Sequence, residues 1–258
     1  MNRAPSARVT QRNAALVERL RVLKAAHPFW GYRRCWAHLH FVEQLTVNKK
    51  RVLRVMPAAA LTVQPNVRLK ATRTPTRSKP RPTAPNQWWG IDMTKAAIES
   101  VGWVYIVVVL DWYIKKFVGY HVGLQAIAAD WLRALDMAVN RQFPAGIRGQ
   151  GLHLMSDNGS QPTAVRFLRT CGELGIQQAF TSYNNPKGNA DTERSIRTLK
   201  EELLWLREWT SPFAVAEAIT QRCEDFNVSY LHSSLGYRTP EAAEQAYHHS
   251  HQTLLAPA

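Results

Sequence analysis

Cysteine is scarce in this chain, with three residues in 258, at Cys35, Cys171 and Cys223. They are odd in number and far apart, and no two form a Cys-x-x-Cys pair. That excludes a disulfide framework and a zinc pair, and leaves three reduced core thiols. Long apolar runs are missing as well. The longest, Val104 to Leu110, has the length of a buried strand, well short of the ~18–20 residues that span a bilayer. The opening Met1-Asn2-Arg3-Ala4-Pro5 carries no apolar stretch of a secretory signal, so the expected setting is cytoplasmic, with no membrane partner. Acid is nearly absent from the first third. Residues 1–86 hold 18 Lys and Arg against Glu18 and Glu43 alone, whereas the remainder holds 15 against 17 acids. The net charge of +14 therefore sits at one end. A basic arm on a near-neutral body points to a polyanion partner, bound more weakly as salt rises.

The basic part divides into helices and a linker. Ala15, Leu16, Leu20 and Leu23 recur at helical spacing over residues 11–25, and His27-Pro28 stops the pattern. A second helix is expected from Tyr32 to Phe41. Thr46 is a good cap for a third, Val47 to Met56, whose polar side carries Asn48, Lys49, Lys50, Arg51 and Arg54. Two readings stand side by side: a helix-turn-helix unit whose last helix enters a major groove, and a small bundle with a solvated charged face. Residues 61–86 follow as a linker with Pro65, Pro75, Pro80, Pro82 and Pro85 and no apolar period.

From residue 87 the pattern changes. Strands are expected at Trp88–Lys95, Trp103–Leu110, Lys116–Val122, Leu152–Ser156 and Ile176–Phe180. Helices are expected at Ile127–Val139, Thr163–Leu174, Pro186–Arg207 and Pro212–Asn227. Three strands followed by alternating helix and strand give an α/β layer fold, a mixed sheet covered by helices. The expected limits are 1–60 for the helical unit, 61–86 for the linker, 87–245 for the core and 246–258 for a tail. The tail's His248, His249 and His251 are read as carrying no zinc site.

Three acids stand out in this body. Asp92 lies within the first strand, Asp157 where the fourth ends, and Glu193 on a long helix. Between Asp92 and Asp157 lie 64 residues, and between Asp157 and Glu193 lie 35. If the first and fourth strands are neighbours, both aspartates reach one end of the sheet and the helix brings Glu193 over them. Three carboxylates suit divalent cations that take hard oxygen ligands. Two such ions activate the attacking oxygen and stabilise the leaving oxygen of an in-line displacement. Lys200, seven residues beyond Glu193, lies about 20° off it around the helix, and Arg197 shares that face. The competing reading is an ordinary Glu193–Arg197 pair on a solvated helix. The preceding loop, Phe180 to Gly188, offers Tyr183 and Lys187 to a phosphate or a base.

Several motifs carry a family resemblance. Pro85-Asn86-Gln87-Trp88-Trp89-Gly90-Ile91-Asp92-Met93-Thr94, Ser156-Asp157-Asn158-Gly159-Ser160-Gln161 and Asn189-Ala190-Asp191-Thr192-Glu193 resemble, in order, the three acidic motifs of bacterial insertion-sequence transposases with an integrase-type core. Phe226-Asn227 with His232-Ser233-Ser234-Leu235-Gly236-Tyr237-Arg238-Thr239-Pro240 resembles their closing motif. His27-Pro28-Phe29-Trp30-Gly31-Tyr32 and Val47-Asn48-Lys49-Lys50-Arg51-Val52 resemble the helical unit before that core. The match spans roughly residues 25–245, and its ordered set is specific. Tyr230-Leu231 departs from the Arg-Pro usual before the closing histidine.

The resemblance implies a ribonuclease H-like five-stranded mixed sheet flanked by helices, shared with retroviral integrases and preceded by an all-α helix-turn-helix unit. It implies a DDE site with Asp92, Asp157 and Glu193 as ligands of two Mg²⁺ or Mn²⁺ ions, and Lys200 as a contact to the element end. It implies double-stranded DNA as partner, both element ends and target, action as a homo-oligomer on DNA, and strand transfer by a 3′-hydroxyl. Such proteins are second-frame products, and the upstream-frame helix-turn-helix product is a further expected partner. The rival readings are a non-catalytic transposase-derived DNA-binding protein, which has no need of the acids, and a metal-dependent nuclease that does not join.

Overall fold

Leu16, Leu20 and Leu23 fall on one side of helix Ala7–Ala26 (α1) and are buried there. They meet Cys35, Leu39, Val47, Val52, Val55 and Met56 in a small apolar core. Helix Tyr32–Ala37 (α2) runs on into a π-helical turn, His38–Val42. Helix Lys49–Ala58 (α3) begins two residues later than expected. Its cap is Asn48 and not Thr46: Asn48 is extended, and its Oδ1 accepts from the Lys50 backbone N–H at 2.8 Å. Asparagine outranks threonine at this position. In the computed structural model the described residues are 7–63, 80–181 and 188–255. Most of the linker, and the loop holding Tyr183 and Lys187, lie outside them. The chain divides into two compact units, Met1–Ala71 and Thr72–Ala258.

The second unit is built on one sheet. Strands Trp88–Ile98 (β1), Gly102–Asp111 (β2) and Phe117–Gly123 (β3) form the expected antiparallel meander. Helix Ala128–Gln142 (α4) leads to strand His153–Ser156 (β4), and helix Val165–Leu174 (α5) to strand Gln177–Phe180 (β5). The strand order is β3-β2-β1-β4-β5, with β4 parallel to β1 and β5 parallel to β4. Helix Ala190–Leu199 (α6) continues into a π-helical turn, Lys200–Leu204. Helices Pro212–Ser229 (α7) and Pro240–Leu255 (α8) complete the unit. This is the ribonuclease H-like mixed sheet that the motifs imply.

Side chains alternate across β1 because successive residues of a strand point to opposite faces. Trp89 and Ile91 enter the core formed with Trp131, Leu135 and Phe167 of α4 and α5. Ala96 and Ile98 enter the core formed with Ile196, Leu199, Val215 and Phe226 of α6 and α7. Asp92 shares the parity of Ala96 and Ile98, so it belongs to the α6 face. The run Val104–Leu110 is the central strand expected, with Val104 and every residue from Ile106 to Leu110 buried.

Two departures have local causes. The helix expected to run without a break to Arg207 is regular only to Leu199. The extra residue in the π turn moves the apolar seam from Leu203 to Leu204, leaving Leu204 buried and Leu206 47% exposed. Residues 246–255, expected as tail, continue α8. Its start signals were present: Thr239 Oγ1 accepts from Ala242 N–H at 3.2 Å, and Pro240 takes the first helical position.

The motif Phe226-Asn227 has a structural use. Asn227 accepts from Phe117 N–H at 2.8 Å and donates to Phe117 O at 2.9 Å, closing the strand edge where the β2–β3 register shifts. Asp111, fully buried, accepts from the backbone N–H groups of Asn86 (2.6 Å), Tyr113 (2.7 Å) and Ile114 (3.0 Å). It thereby ties the entry of β1 to the exit of β2. Burial pushes its carboxyl up to about 6, against the pull of those donors. A raised carboxyl favours the fold in its protonated form. Its contribution is fully present below the unfolded value near 3.8 and is lost as pH rises through about 6. Asp111→Asn cannot titrate and sets a nitrogen against one N–H, so it is expected to cost about 1–3 kcal/mol. In denaturant melts the gap between wild type and variant should narrow from pH 5 to pH 7, and a gap that widens would contradict the assignment.

Candidate active site

The pairing of β1 with β4 explains the sequence distance between the aspartates. Trp88 pairs with His153, Trp89 with Leu154 and Gly90 with Met155. Each pair is offset by 65 positions, and so are Asp92 and Asp157. Asp157 therefore leaves β4 level with Asp92. Thr181 N–H donates to Ser156 O at 2.9 Å and Asn158 Nδ2 to Thr181 O at 2.6 Å, holding the strand end. Asp157 Oδ1 accepts from Gly159 N–H at 3.0 Å.

Glu193 arrives on the first turn of α6, and that turn is seated on β1. Asn189 Nδ2 donates to Ile91 O at 3.2 Å, and Glu193 N–H donates to Asn189 O at 3.0 Å. Trp112 Nε1 donates to Thr192 Oγ1 at 3.0 Å. The helix lies close because residue 90 is glycine. A Cβ there would overlap Thr192 Oγ1 and Trp112 Nε1 and stand 2.6 Å from Asn189 Oδ1. A glycine inside a strand signals such a close approach. In the Trp-Trp-Gly-Ile-Asp run it was the cue to this seat, which the spacing of the acids alone does not show.

Asp92 is half-buried, and its Oδ1 accepts from Met93 N–H at 2.7 Å. Burial pushes its carboxyl up to about 6; the negative charges of Asp157 and Glu193 push the same way, while the Met93 N–H and Lys200 pull it down. All three acids and Lys200 thus act on one point. They do so at coulombic range. Among the described residues no three His, Cys, Asp or Glu side chains are drawn together closely enough to form a metal cage. Glu193 and Asp157 are exposed side chains, on a first helical turn and on a loop.

The structure sorts the other candidates. Lys200 is part-buried within reach of Asp92. Arg197 pairs with Glu201 at 2.6 Å, in place of the Glu193–Arg197 pair weighed from the sequence. Lys187 lies outside the described residues. In the helical unit, Arg51 donates to Asn13 Oδ1 (2.9 Å) and Arg12 O (2.7 Å), and Lys49 lies 4.7 Å from the centre of the Trp36 ring. Lys50 and Arg54 are exposed, although Arg54 Nε reaches Lys50 O at 3.3 Å.

The chain matches known families and known structures. Two integrase core domain families match residues 82–186 and 174–240, and an HTH-like domain family matches residues 11–68. The chain belongs to the integrase-core family of transposases. It is 23% identical over 218 residues to the transposase InsD for insertion element IS2A/D/F/H/I/K of Escherichia coli, covering 83% of this chain and 72% of that protein. Among solved structures it resembles a chain of the simian T-cell lymphotropic virus intasome in complex with the PP2A regulatory subunit B56 gamma. That likeness has a TM-score of 0.53 at 16% identity and covers 81% of this chain and 73% of that one. The HTLV-2 integrase catalytic core domain in complex with magnesium (trimeric form) aligns with a TM-score of 0.48 at 17% identity, over 64% of this chain and 99% of that one. Among the described residues no helix is long and apolar enough to cross a membrane.

The seat of α6 is testable without any reaction. Gly90→Ala should push the start of α6 off β1 and lower stability by about 1–3 kcal/mol in urea melts followed by tryptophan fluorescence. A variant as stable as the wild type would mean that the helix is not held there.

Proposed function

We propose that this chain is a DNA transposase that nicks the ends of an insertion element and joins the freed 3′-hydroxyl to another strand. The observation that carries the proposal is the β1–β4 register, which sets Asp157 level with Asp92, with the charges of Glu193 and Lys200 also acting on Asp92. The donors fit the metal the family implies. All three are hard carboxylate oxygens, which Mg²⁺ and Mn²⁺ prefer, and a divalent cation would offset both the burial of the Asp92 charge and the neighbouring negative charges. Asp92, Asp157 and Glu193 would together hold the two ions. When bound, the ions supply charge neutralisation at the scissile phosphate and activation of the oxygen nucleophile.

The remaining work is positioning, which dominates phosphoryl transfer. Lys200 sets a cation beside the carboxylates, where the backbone of the element end must pass. Arg197 extends that strip along α6 while held by Glu201, and Lys187 is a further cation that the sequence offers shortly before the helix. In the helical unit Lys50 and Arg54 are the side chains best presented to a major groove, with Lys49 beside them. Asn48 and Arg51 are committed mainly to capping and bracing α3. The chain would work as a homo-oligomer on paired ends, with the upstream-frame helix-turn-helix product sharing recognition.

Two variants test this reading. Wild type incubated with its own element ends and Mg²⁺ should join them, and Asp157→Asn should lose joining by a factor of about a thousand or more. Equal joining by both proteins would refute the transposase assignment. Lys200→Ala should keep its melting temperature and weaken binding to the ends, with a smaller salt slope. Identical binding curves at every salt concentration would remove Lys200 from the DNA path.

A further inference from the structure

The closing motif His232–Pro240 takes no part in the carboxylate site, yet it folds into a defined turn. His232 N–H donates to Arg238 O at 3.1 Å, and Tyr237 N–H donates to His232 O at 2.7 Å. Gly236 and Tyr237 are both left-handed, with φ of 66° and 64°. The second is uncommon for a residue with a side chain. This turn forms one wall of a groove of about 830 Å³. Helix α8 forms another wall, and residues 80–82 and the β2–β3 turn line the rest.

The lining has a consistent chemistry. Its cations are Arg81, Lys115 and Arg238, set against one acid, Asp191. Lys115 and Asp191 neutralise one another at 2.9 Å, which leaves Arg81 and Arg238, both exposed, as the excess charge. Tyr113 and Tyr247 meet edge to face with ring centres 5.6 Å apart. Guanidinium groups bind phosphate through paired N–H donors, and aromatic rings accept any base on their faces. A volume of this size holds a ligand of one or two nucleotides and is too small for a duplex. The groove also adjoins the proposed site. Asp191, two residues before Glu193, lines it, as does Trp112, which donates to Thr192.

We infer that this groove holds an unpaired stretch of a DNA strand as it leaves the carboxylate site, with phosphate on Arg81 and Arg238 and a base against Tyr113 and Tyr247. The inference rests on the DNA reading given above and adds a single-strand subsite to it. The two arginines come from opposite ends of the core sequence, one from the end of the basic linker and one from the closing motif. The fold brings together what the sequence separates by 157 positions.

The test compares two labelled probes, an element end with a short thymidine tail and the same end blunt, titrated by fluorescence anisotropy across salt. The full chain is used in the presence of Mg²⁺. The double variant Arg81→Ala with Arg238→Ala should bind the tailed end about ten-fold more weakly, with the slope of log affinity against log salt reduced by about 1.4. Tyr247→Leu, which keeps apolar packing, should weaken the tailed end by about five-fold or more. Neither should change the blunt end, and thermal melts confirm that both fold. Equal loss on both probes, unchanged binding of the tailed end, or an acidic peptide displacing the arginine-dependent signal where a free thymidine strand does not, would each overturn the subsite. A wild type that joins ends while its variants bind tailed DNA unchanged overturns the groove alone. A wild type that neither joins nor binds overturns the transposase reading with it.

Discussion

The burial of Asp92 beside the charges of Asp157 and Glu193 is the constraint on which the rest of this structure depends. Burial raises the Asp92 carboxyl, and the negative charges of Asp157 and Glu193 push the same way. The fold has to hold these charges in place from three separate elements. The β1–β4 register does so for the aspartates, fixing them level with each other through backbone hydrogen bonds that no side-chain motion can undo. The first turn of α6 does so for Glu193. It is bonded to Ile91 through Asn189 and to Trp112 through Thr192, and it is admitted to the strand by the missing side chain at Gly90.

Supports for that turn reach further out. Lys115 holds Asp191 at 2.9 Å, Lys116 holds Glu244 of α8 at 2.6 Å, and Asn227 of α7 closes the backbone of Phe117. All three contacts fall on or beside the β2–β3 turn, whose geometry Asp111 sets from beneath. The turn thus links both C-terminal helices and the start of α6 to the central strand. Motifs that look remote from the acids, Phe226-Asn227 and the closing segment, belong to the same mechanical unit. Tyr230, at the departure from the expected Arg-Pro pair, stacks on Phe226 with ring centres 4.3 Å apart and leaves that unit intact.

Much of this was legible in the sequence because it is written in local patterns. The unbroken apolar run Val104–Leu110 announced a central strand. The alternation of strand and helix after Gly123 announced the covered mixed sheet, and Asp157 and Glu193 fall at the ends of the elements expected to carry them. The details that escaped depend on competition between nearby options. Thr46 and Asn48 both suit a helix cap, and the fold uses the second. A π turn leaves no trace in an apolar period until the seam moves by one residue, as it does at Leu204. The pairing of Arg197 with Glu201 instead of Glu193 is a choice among equivalent spacings on one helix. The seat of α6 needed contacts across the 80 positions from Trp112 to Thr192 that no window of sequence contains.

The central claim is that three elements deliver their carboxylates to one cation-binding point. The most direct measurement is Mn²⁺ binding to the purified chain, followed by electron paramagnetic resonance and calorimetry, in wild type and in Glu193→Gln. The account predicts saturable binding of two ions to wild type and loss of at least one in the variant, with unchanged melting of the metal-free proteins. Equal Mn²⁺ stoichiometry and affinity in the two proteins would show that Glu193 does not share a site with Asp92 and Asp157, and would contradict it.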